Sequence, residues 1–318
     1  VQKHHPIVLS GSISIDRIMN FAGSYKNLIK PDKLHVLSLS VLIDQLQDSR
    51  GGTAANIAYN LALLGDHPYL LGSIGLNSLE YLMDLKKIGV EITHVNQSSL
   101  PTATFTVMTD QDDNQIGGFY PGAMNDHQKL NLAPWHGTNA LVVISANNPT
   151  LMRNLIQEAS HHQLTLIYDP GQQVSNCPES DLLKGLNVAR ILFVNDYELT
   201  MLATRTNQTE TQLKSTIPLI VTTLGKDGCE ISGKLIPNSF RIPSVPNIKA
   251  IDPTGAGDAF RAGFLYGYSR NWSPENCAKL GNVIASYTVE KHGTQTHTFS
   301  KIDLKKRYNA TYKTKLII

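Results

Sequence analysis

Several scarcities narrow what this chain can do. Only 3 cysteines occur in 318 residues, Cys177, Cys229 and Cys277, and no CxxC pair exists. That argues against a disulfide framework or a cysteine-based zinc knuckle, and it fits a reducing compartment. Charged residues make up only 17%, with a formal net charge of +2, and no run of lysines and arginines forms a basic stripe. Nucleic acid is therefore not an expected partner. The densest basic patch, "KIDLKKR" from Lys301 to Arg307, reads as the solvated face of a C-terminal helix. Long apolar runs are missing too: none approaches the roughly 20 residues that cross a bilayer. The apolar stretch in the N-terminal "VQKHHPIVLSGSISID" is too short for a signal-peptide core. No membrane partner is expected, and the cytoplasm is the expected location. There are no internal repeats and no low-complexity tracts.

What is present is an alternation of strands and helices. With 41% hydrophobic residues the chain can bury a sizeable core. "PIVLSGSISI" (6–15) reads as a buried strand broken at Gly11, and "YLLGSIG" (69–75) as another. "ALVVIS" (140–145), "LTLIYD" (164–169), "RILFVN" (190–195) and "IPLIVTT" (217–223) are short and continuously apolar, as strands covered on both faces are. Helical patterns lie between them, including "GGTAANIAYNLALLG" (51–65) and "PTLMRNLIQEASHH" (149–162). The pattern predicts one α/β domain over 1–318 with a doubly wound, mostly parallel sheet. Two segments with period-2 character, 33–50 and 102–120, do not fit that rhythm, and the second turns at Asp112-Asp113-Asn114. They predict a small β lid, from about 17–50 and 98–122, over the strand ends.

The chemistry is concentrated in "IDPTGAGDAFRAGFLYG" (251–267). Unpaired N–H groups at a helix N-terminus attract anions. Gly255, Ala256 and Gly257 carry almost no side-chain bulk, so a phosphate can approach their N–H groups. Asp258 follows in the first turn, where the helix N-terminus is expected to hold its pKa low. An anion hole beside a carboxylate base is the minimum a phosphoryl transferase needs. Asp16, Asp169, Asn195 and Thr223 are each expected at or just after a strand's C-terminal end, where ligands bind in open parallel sheets.

Other motifs are set aside. "GCEISGKL" (228–235) lacks the hydroxyl residue of a P-loop, and "DQDDN" (110–114) leads into a segment without the glycine and glutamate of a calcium loop. In the Gly255-Ala256-Gly257 segment Phe260 stands where a dinucleotide fingerprint has its third glycine. His292 and His297 have no ligand partners at metal-binding spacing.

"DPTGAGDAFRAGF" closely resembles the C-terminal signature of the ribokinase-like (PfkB) carbohydrate and nucleoside kinases. "GGTAANIAYNLALLG" resembles the N-terminal signature. Asn195-Asp196-Tyr197-Glu198 resembles the N-x-x-E motif, and Thr223 to Gly228 resembles the nucleotide loop. The motifs come in family order and the resemblance spans nearly the whole chain. It implies a ribokinase-like fold and a phosphotransferase with an alcohol acceptor, using ATP and magnesium (Mg2+). It implies that Asp258 is the base and that Gly255, Ala256 and Gly257 are the anion hole. Asn195 and Glu198 would hold Mg2+ and phosphate through water, and Thr223, Gly225 and Gly228 would line the ATP site, with His292 and Gly293 near the adenine. Asp16, Gly51, Gly52 and Asn56 would hold the acceptor. Asp252 and Thr254 resemble ligands for a monovalent cation such as K+, which some members use and others do not. Members use the lid as a simple cover or as a dimer surface, so a monomer and a homodimer both fit.

"DDNQ" (112–115), "FYPGAMN" (119–125) and "DPGQ" (169–172) are similar to segments of prokaryotic adenosine and nucleoside kinases. The expected acceptor is a nucleoside, adenosine first, with inosine, guanosine and cytidine open. Gln172 and His35 are candidate acceptor contacts, and Phe119 or Met124 could pack on a base. A free-sugar kinase acting on ribose or a ketohexose is the alternative enzyme. A non-catalytic binding protein on the same fold is the alternative outside catalysis.

Overall fold

The computed structural model describes residues 4–30 and 38–318. His35 and the first part of the 33–50 segment lie outside the described residues. The strands are β1 (Ile7–Ser10), β2 (Ser14–Asn20), β3 (Gln45–Gly51), β4 (Tyr69–Leu71), β5 (Ser73–Gly75), β6 (Asn96–Ser98) and β7 (Ala103–Thr109). They continue as β8 (Gln115–Tyr120), β9 (Leu141–Ser145), β10 (Thr165–Asp169), β11 (Ile191–Asn195), β12 (Leu219–Thr223), β13 (Cys229–Ser232) and β14 (Phe240–Ile242).

Eight strands form the main sheet in the order β14-β13-β12-β11-β10-β9-β1-β4. From β4 to β12 all neighbours are parallel; β13 and β14 add on antiparallel. The alternation of side chains along each strand feeds two cores, one on each face. Ile7, Leu9, Val143, Ile167, Phe193 and Val221 face the helices Thr53–Leu63, Ala256–Tyr268 and Pro274–Thr288. Val8, Val142, Ile144, Leu166, Leu192 and Ile220 face the helices Pro149–His161, Glu179–Val188 and Asp196–Arg205. Both faces are therefore covered, which is why these strands read as unbroken apolar runs. The helices Ala256–Tyr268 and Pro274–Thr288 meet where Gly263 and Gly281 face each other. A Cβ on Gly263 would lie 2.7 Å from Gly281 Cα, so only bare backbone allows that approach.

A separate four-stranded sheet has the order β3-β2-β7-β8. Two expectations need correction here. The stretch 6–15 is not one strand: after β1 the chain leaves the main sheet through Gly11–Ile13 and re-enters structure as β2 of the small sheet. Likewise 69–75 divides at Gly72 into β4, in the main sheet, and β5, which pairs with β6. A continuous apolar run marks burial on both sides and does not say which sheet does the burying. Among the described residues of the 33–50 segment, the strand runs from Gln45. No helix among the described residues is long and apolar enough to cross a membrane.

Candidate active site

The C-terminal ends of the parallel strands, the N-terminus of the helix Ala256–Tyr268 and one face of the small sheet supply the sequence-predicted residues. Asp169 ends β10 beside Ser145 of β9, and Asn195 ends β11 beside Thr223 of β12. Asp16 departs from expectation: it lies inside β2, paired with Ser49 and Phe105, and not at a main-sheet strand end.

Gly255 caps the helix Ala256–Tyr268 in the left-handed region, at φ 78°, without a side-chain cap. Its Cα sits against Thr294, so a Cβ there would be 2.9 Å from the threonine side chain. Ala256 N–H turns back to Pro253 O at 3.1 Å, and Ala259 N–H is the first to close on Gly255. Among the described residues no backbone acceptor faces the N–H groups of Gly257 and Asp258. Of the expected Gly255-Ala256-Gly257 set, only Ala256 N–H is taken up by a backbone acceptor; among the described residues none faces Gly255 N–H either.

Asp258 is the centre of the cluster. Asn56 Nδ2 donates to its Oδ2 at 2.8 Å. Burial pushes its pKa up to about 7, opposed by the Arg261 guanidinium and the Asn56 hydrogen bond, with Asp169 and Asp16 pushing further up. The sequence-based expectation of a lowered pKa is thus reversed: desolvation of the carboxylate outweighs the helix N-terminus. Burial also pushes Asp16 up to about 6, opposed by Ser14 and reinforced by Asp252. Gly51 gives Asp16 its room, since a Cβ on Gly51 would lie 2.5 Å from Asp16 Oδ2. Gly52 caps the helix Thr53–Leu63 at φ 97°, where a Cβ would lie 2.5 Å from Ser12 O. Any side chain would be excluded from this junction between the small sheet and the helix.

Asn56 is drawn toward Asp258: its amide nitrogen donates to that carboxylate, while its oxygen accepts from Thr294 and Gln295. The sequence placed it among the acceptor contacts. Asn195 and Glu198 form a reciprocal capping box, 2.8 Å from Asn195 N to Glu198 Oε2 and 2.7 Å from Glu198 N to Asn195 Oδ1. This leaves Glu198 Oε1 without a role in the box. Burial raises the Glu198 pKa, opposed by Arg261. Asp252 accepts from Thr254 N at 2.9 Å and Gly293 N at 3.0 Å. Burial works to raise its pKa, but these donors hold it below the usual range. Both of its oxygens are thereby engaged with backbone. Among the described residues no group of three or more His, Cys, Asp or Glu side chains is placed to hold a metal ion.

The loop after β12 closes on itself, with Leu224 N to Gly228 O at 2.8 Å and Gly228 N to Gly225 O at 3.2 Å. Gly225 is exposed, as is His292, while Thr223 is half-buried. In the turn after β10, Gln172 is exposed; its neighbour Gln173 turns inward, donating to Asn147 O at 2.9 Å. Met124 is buried in the core, whereas Phe119 stays 48% exposed.

Two contributors escaped the sequence reading. Arg261 lies one turn beyond Asp258 and is 8% exposed. Its Nη2 pairs with Asp169 Oδ1 at 2.7 Å, and its Nη1 lies where a Cβ on Gly257 would be only 2.7 Å away. An arginine among the small and apolar residues of "DAFRAGF" was the available signal. Phe105 is the second. It pairs with Asp16 on one side and Phe119 on the other, so all three side chains leave the same face of the small sheet.

A half-buried carboxylate at a bare helix N-terminus, with acidic and amide groups at the ends of parallel strands, is an arrangement suited to phosphoryl transfer. The chain belongs to the pfkB family of carbohydrate kinases, whose model matches residues 13–301. It is a kinase with an alcohol acceptor. It is 30% identical over 309 residues to a nucleoside kinase of Methanothermobacter thermautotrophicus, covering 94% of this chain and 98% of the relative. The structure of a Burkholderia thailandensis nucleoside kinase in complex with inosine is similar, with a TM-score of 0.87 at 27% identity. It covers 98% of this chain and 100% of that one. A Methanocaldococcus jannaschii nucleoside kinase superposes with a TM-score of 0.85 at 27% identity, covering 98% and 100% of the two chains.

Proposed function

We propose that this kinase phosphorylates the 5′-hydroxyl of a nucleoside from ATP. The observation that carries the nucleoside over a free sugar is the row Asp16, Phe105 and Phe119 on one face of the small sheet. Phe105 is 40% and Phe119 48% exposed, a poor use of two aromatic rings unless a flat apolar group covers them. Asp16 beside them accepts hydrogen bonds from ribose hydroxyls, and the rings stack on the base. Each stacking contact contributes roughly 1–3 kcal/mol. Rings recognise area more than exocyclic groups, so the reading extends to purine nucleosides, adenosine and inosine alike. The relatives reported above, two of them nucleoside kinases with solved structures, support the same acceptor class.

Asp258 takes the proton of the 5′-hydroxyl as the oxygen attacks the γ-phosphorus. The new O–P bond forms as the bond to the ADP oxygen breaks, and ADP leaves with that electron pair. A base whose pKa lies near neutrality suits proton transfer at neutral pH. The free N–H groups of Gly257 and Asp258 stabilise charge on the transferring group. Mg2+, when bound with ATP, neutralises phosphate charge. Glu198, with one carboxylate oxygen outside the capping box, and Asn195 would hold it through water. The loop Thr223–Gly228, exposed at Gly225–Asp227, and the segment at His292 and Gly293 would carry the nucleotide. Asp252 and Thr254 would face a monovalent cation such as K+ through backbone carbonyls, since the Asp252 carboxylate is engaged. The small sheet acts as a lid hinged at Gly51-Gly52. The test is phosphorus NMR of the product. A 5′-monophosphate couples to two methylene protons and gives a triplet; a doublet from a secondary ester would refute the assignment.

A further inference from the structure

The two ends of the Asn56 amide are not equivalent in this fold. Nδ2 donates to Asp258 Oδ2 at 2.8 Å, and Oδ1 receives Thr294 Oγ1 and Gln295 Nε2, both at 2.8 Å. A flip would turn Oδ1 onto the Asp258 carboxylate and Nδ2 onto two donors, so the surroundings permit one orientation. Thr294 cannot hold that orientation alone. Its single hydroxyl hydrogen is shared with Arg50 O, also 2.8 Å away. Gln295 has two amide hydrogens, and the second reaches Tyr81 Oη at 2.6 Å. Tyr81 Oη in turn donates to Gly51 O at 2.9 Å, at the end of β3 and next to the Gly52 junction. One side-chain amide thus joins the partner of the base to the hinge of the small sheet.

We propose that Gln295 is a positioning residue that locks the Asn56 amide toward Asp258 and ties this orientation to the Gly51-Gly52 hinge through Tyr81. The proposal rests on the reading of Asp258 as the base. It goes beyond that reading, because it gives Asn56 to the base and makes base orientation depend on the hinge. With the lock in place, an N–H faces the carboxylate and favours its ionised form. The other charged or titratable groups facing Asp258 are Arg261 on its own helix, Asp169 at the end of β10, Asp16 of β2 and Tyr81. Of these, only Tyr81 is hydrogen-bonded to Gln295, and it keeps its own bond to Gly51 O when Gln295 is substituted.

The test compares the wild type with Gln295→Met and Gln295→Glu. The first removes both donors at similar length; the second offers an acceptor to Asn56 Oδ1 once it is ionised. Removing a hydrogen bond to a charged group moves a pKa by about one unit. The acid limb of the kcat profile should therefore shift upward by about one pH unit in both variants. Turnover at pH 6.5 should fall roughly 5–10-fold, with the KM for ATP within about twofold of wild type. In an Asp258→Asn background, Gln295→Met should have no further effect on turnover. A purely structural glutamine would lower the melting temperature and leave the acid limb where it was; that result overturns the proposal. A carboxyl-carbon NMR titration of Asp258, assigned with Asp258→Asn, reads the same shift without turnover. If the wild type phosphorylates no nucleoside, the functional reading fails on that result alone. The titration still decides the role of Gln295: an unmoved Asp258 pKa in Gln295→Met refutes it.

Discussion

Asp258→Asn should make the protein both slower and, at alkaline pH, more stable. The carboxyl pKa rises from an ordinary 3.8 to about 7 in the folded chain. At 1.36 kcal/mol for each pH unit, ionising this group in the folded state costs up to about 4 kcal/mol. The sign follows from the folded value lying above the unfolded one. The stability contributed by Asp258 is fully present below about pH 4 and is lost as the pH rises through about 7. Asparagine keeps the shape, accepts from Asn56 and carries no charge to desolvate. Turnover should fall roughly 10²–10⁴-fold, as for a positioned base. Thermal unfolding should be followed for both proteins from pH 4 to pH 8.5. The melting temperature of the variant relative to wild type should rise across that range by about 6 °C, at roughly 1.5 °C per kcal/mol for a chain of 318 residues. A difference that stays flat with pH, or an asparagine variant that is less stable at pH 8.5, would refute the claim that burial of a charge is being tolerated for function.

Three further outcomes are expected. The acid limb of kcat/KM for the wild type should lie near pH 7, with activity rising as Asp258 ionises; a limb near pH 4 would remove it as the titrating base. Phe105→Ala and Phe119→Ala should each lower kcat/KM for nucleosides by roughly 10–100-fold. Equal losses on a free sugar would mean that the rings do not contact a base. Arg261→Met should cost about 3–5 kcal/mol in chemical denaturation, because it strands the buried Asp169 carboxylate. Adding Asp169→Asn should recover much of that loss, and a double variant no more stable than the single would contradict the pairing.

Much of the architecture was legible because strands covered on both faces announce themselves as apolar runs, as in "LVVIS" and "ILFVN". The partition of strands between sheets was not. Nothing between Ser10 and Ser14 states that the chain changes sheets, because the change depends on what Gly11 packs against: a Cβ there would be 2.9 Å from Ala54. The helix-terminal glycines and Asp258 were visible from spacing alone, but the direction of the Asp258 pKa was not. Its environment is assembled from Asn56, Arg261, Asp169 and Asp16, which are scattered over the 246 positions from Asp16 to Arg261. The same holds for Gln172 and Gln173, adjacent and alike in sequence, of which the fold turns the second inward. Phe105 acquires meaning only from its register with Asp16 and Phe119.

Phosphoryl transfer from ATP to a nucleoside through Asp258 is checked by ADP release with Mg-ATP over a panel of purine and pyrimidine nucleosides, ribose and fructose, with Asp258→Asn as control. Turnover is expected on purine nucleosides, with little on free sugars and a loss of at least about 100-fold in the variant. Turnover confined to free sugars, or an Asp258→Asn enzyme as fast as wild type, would contradict it.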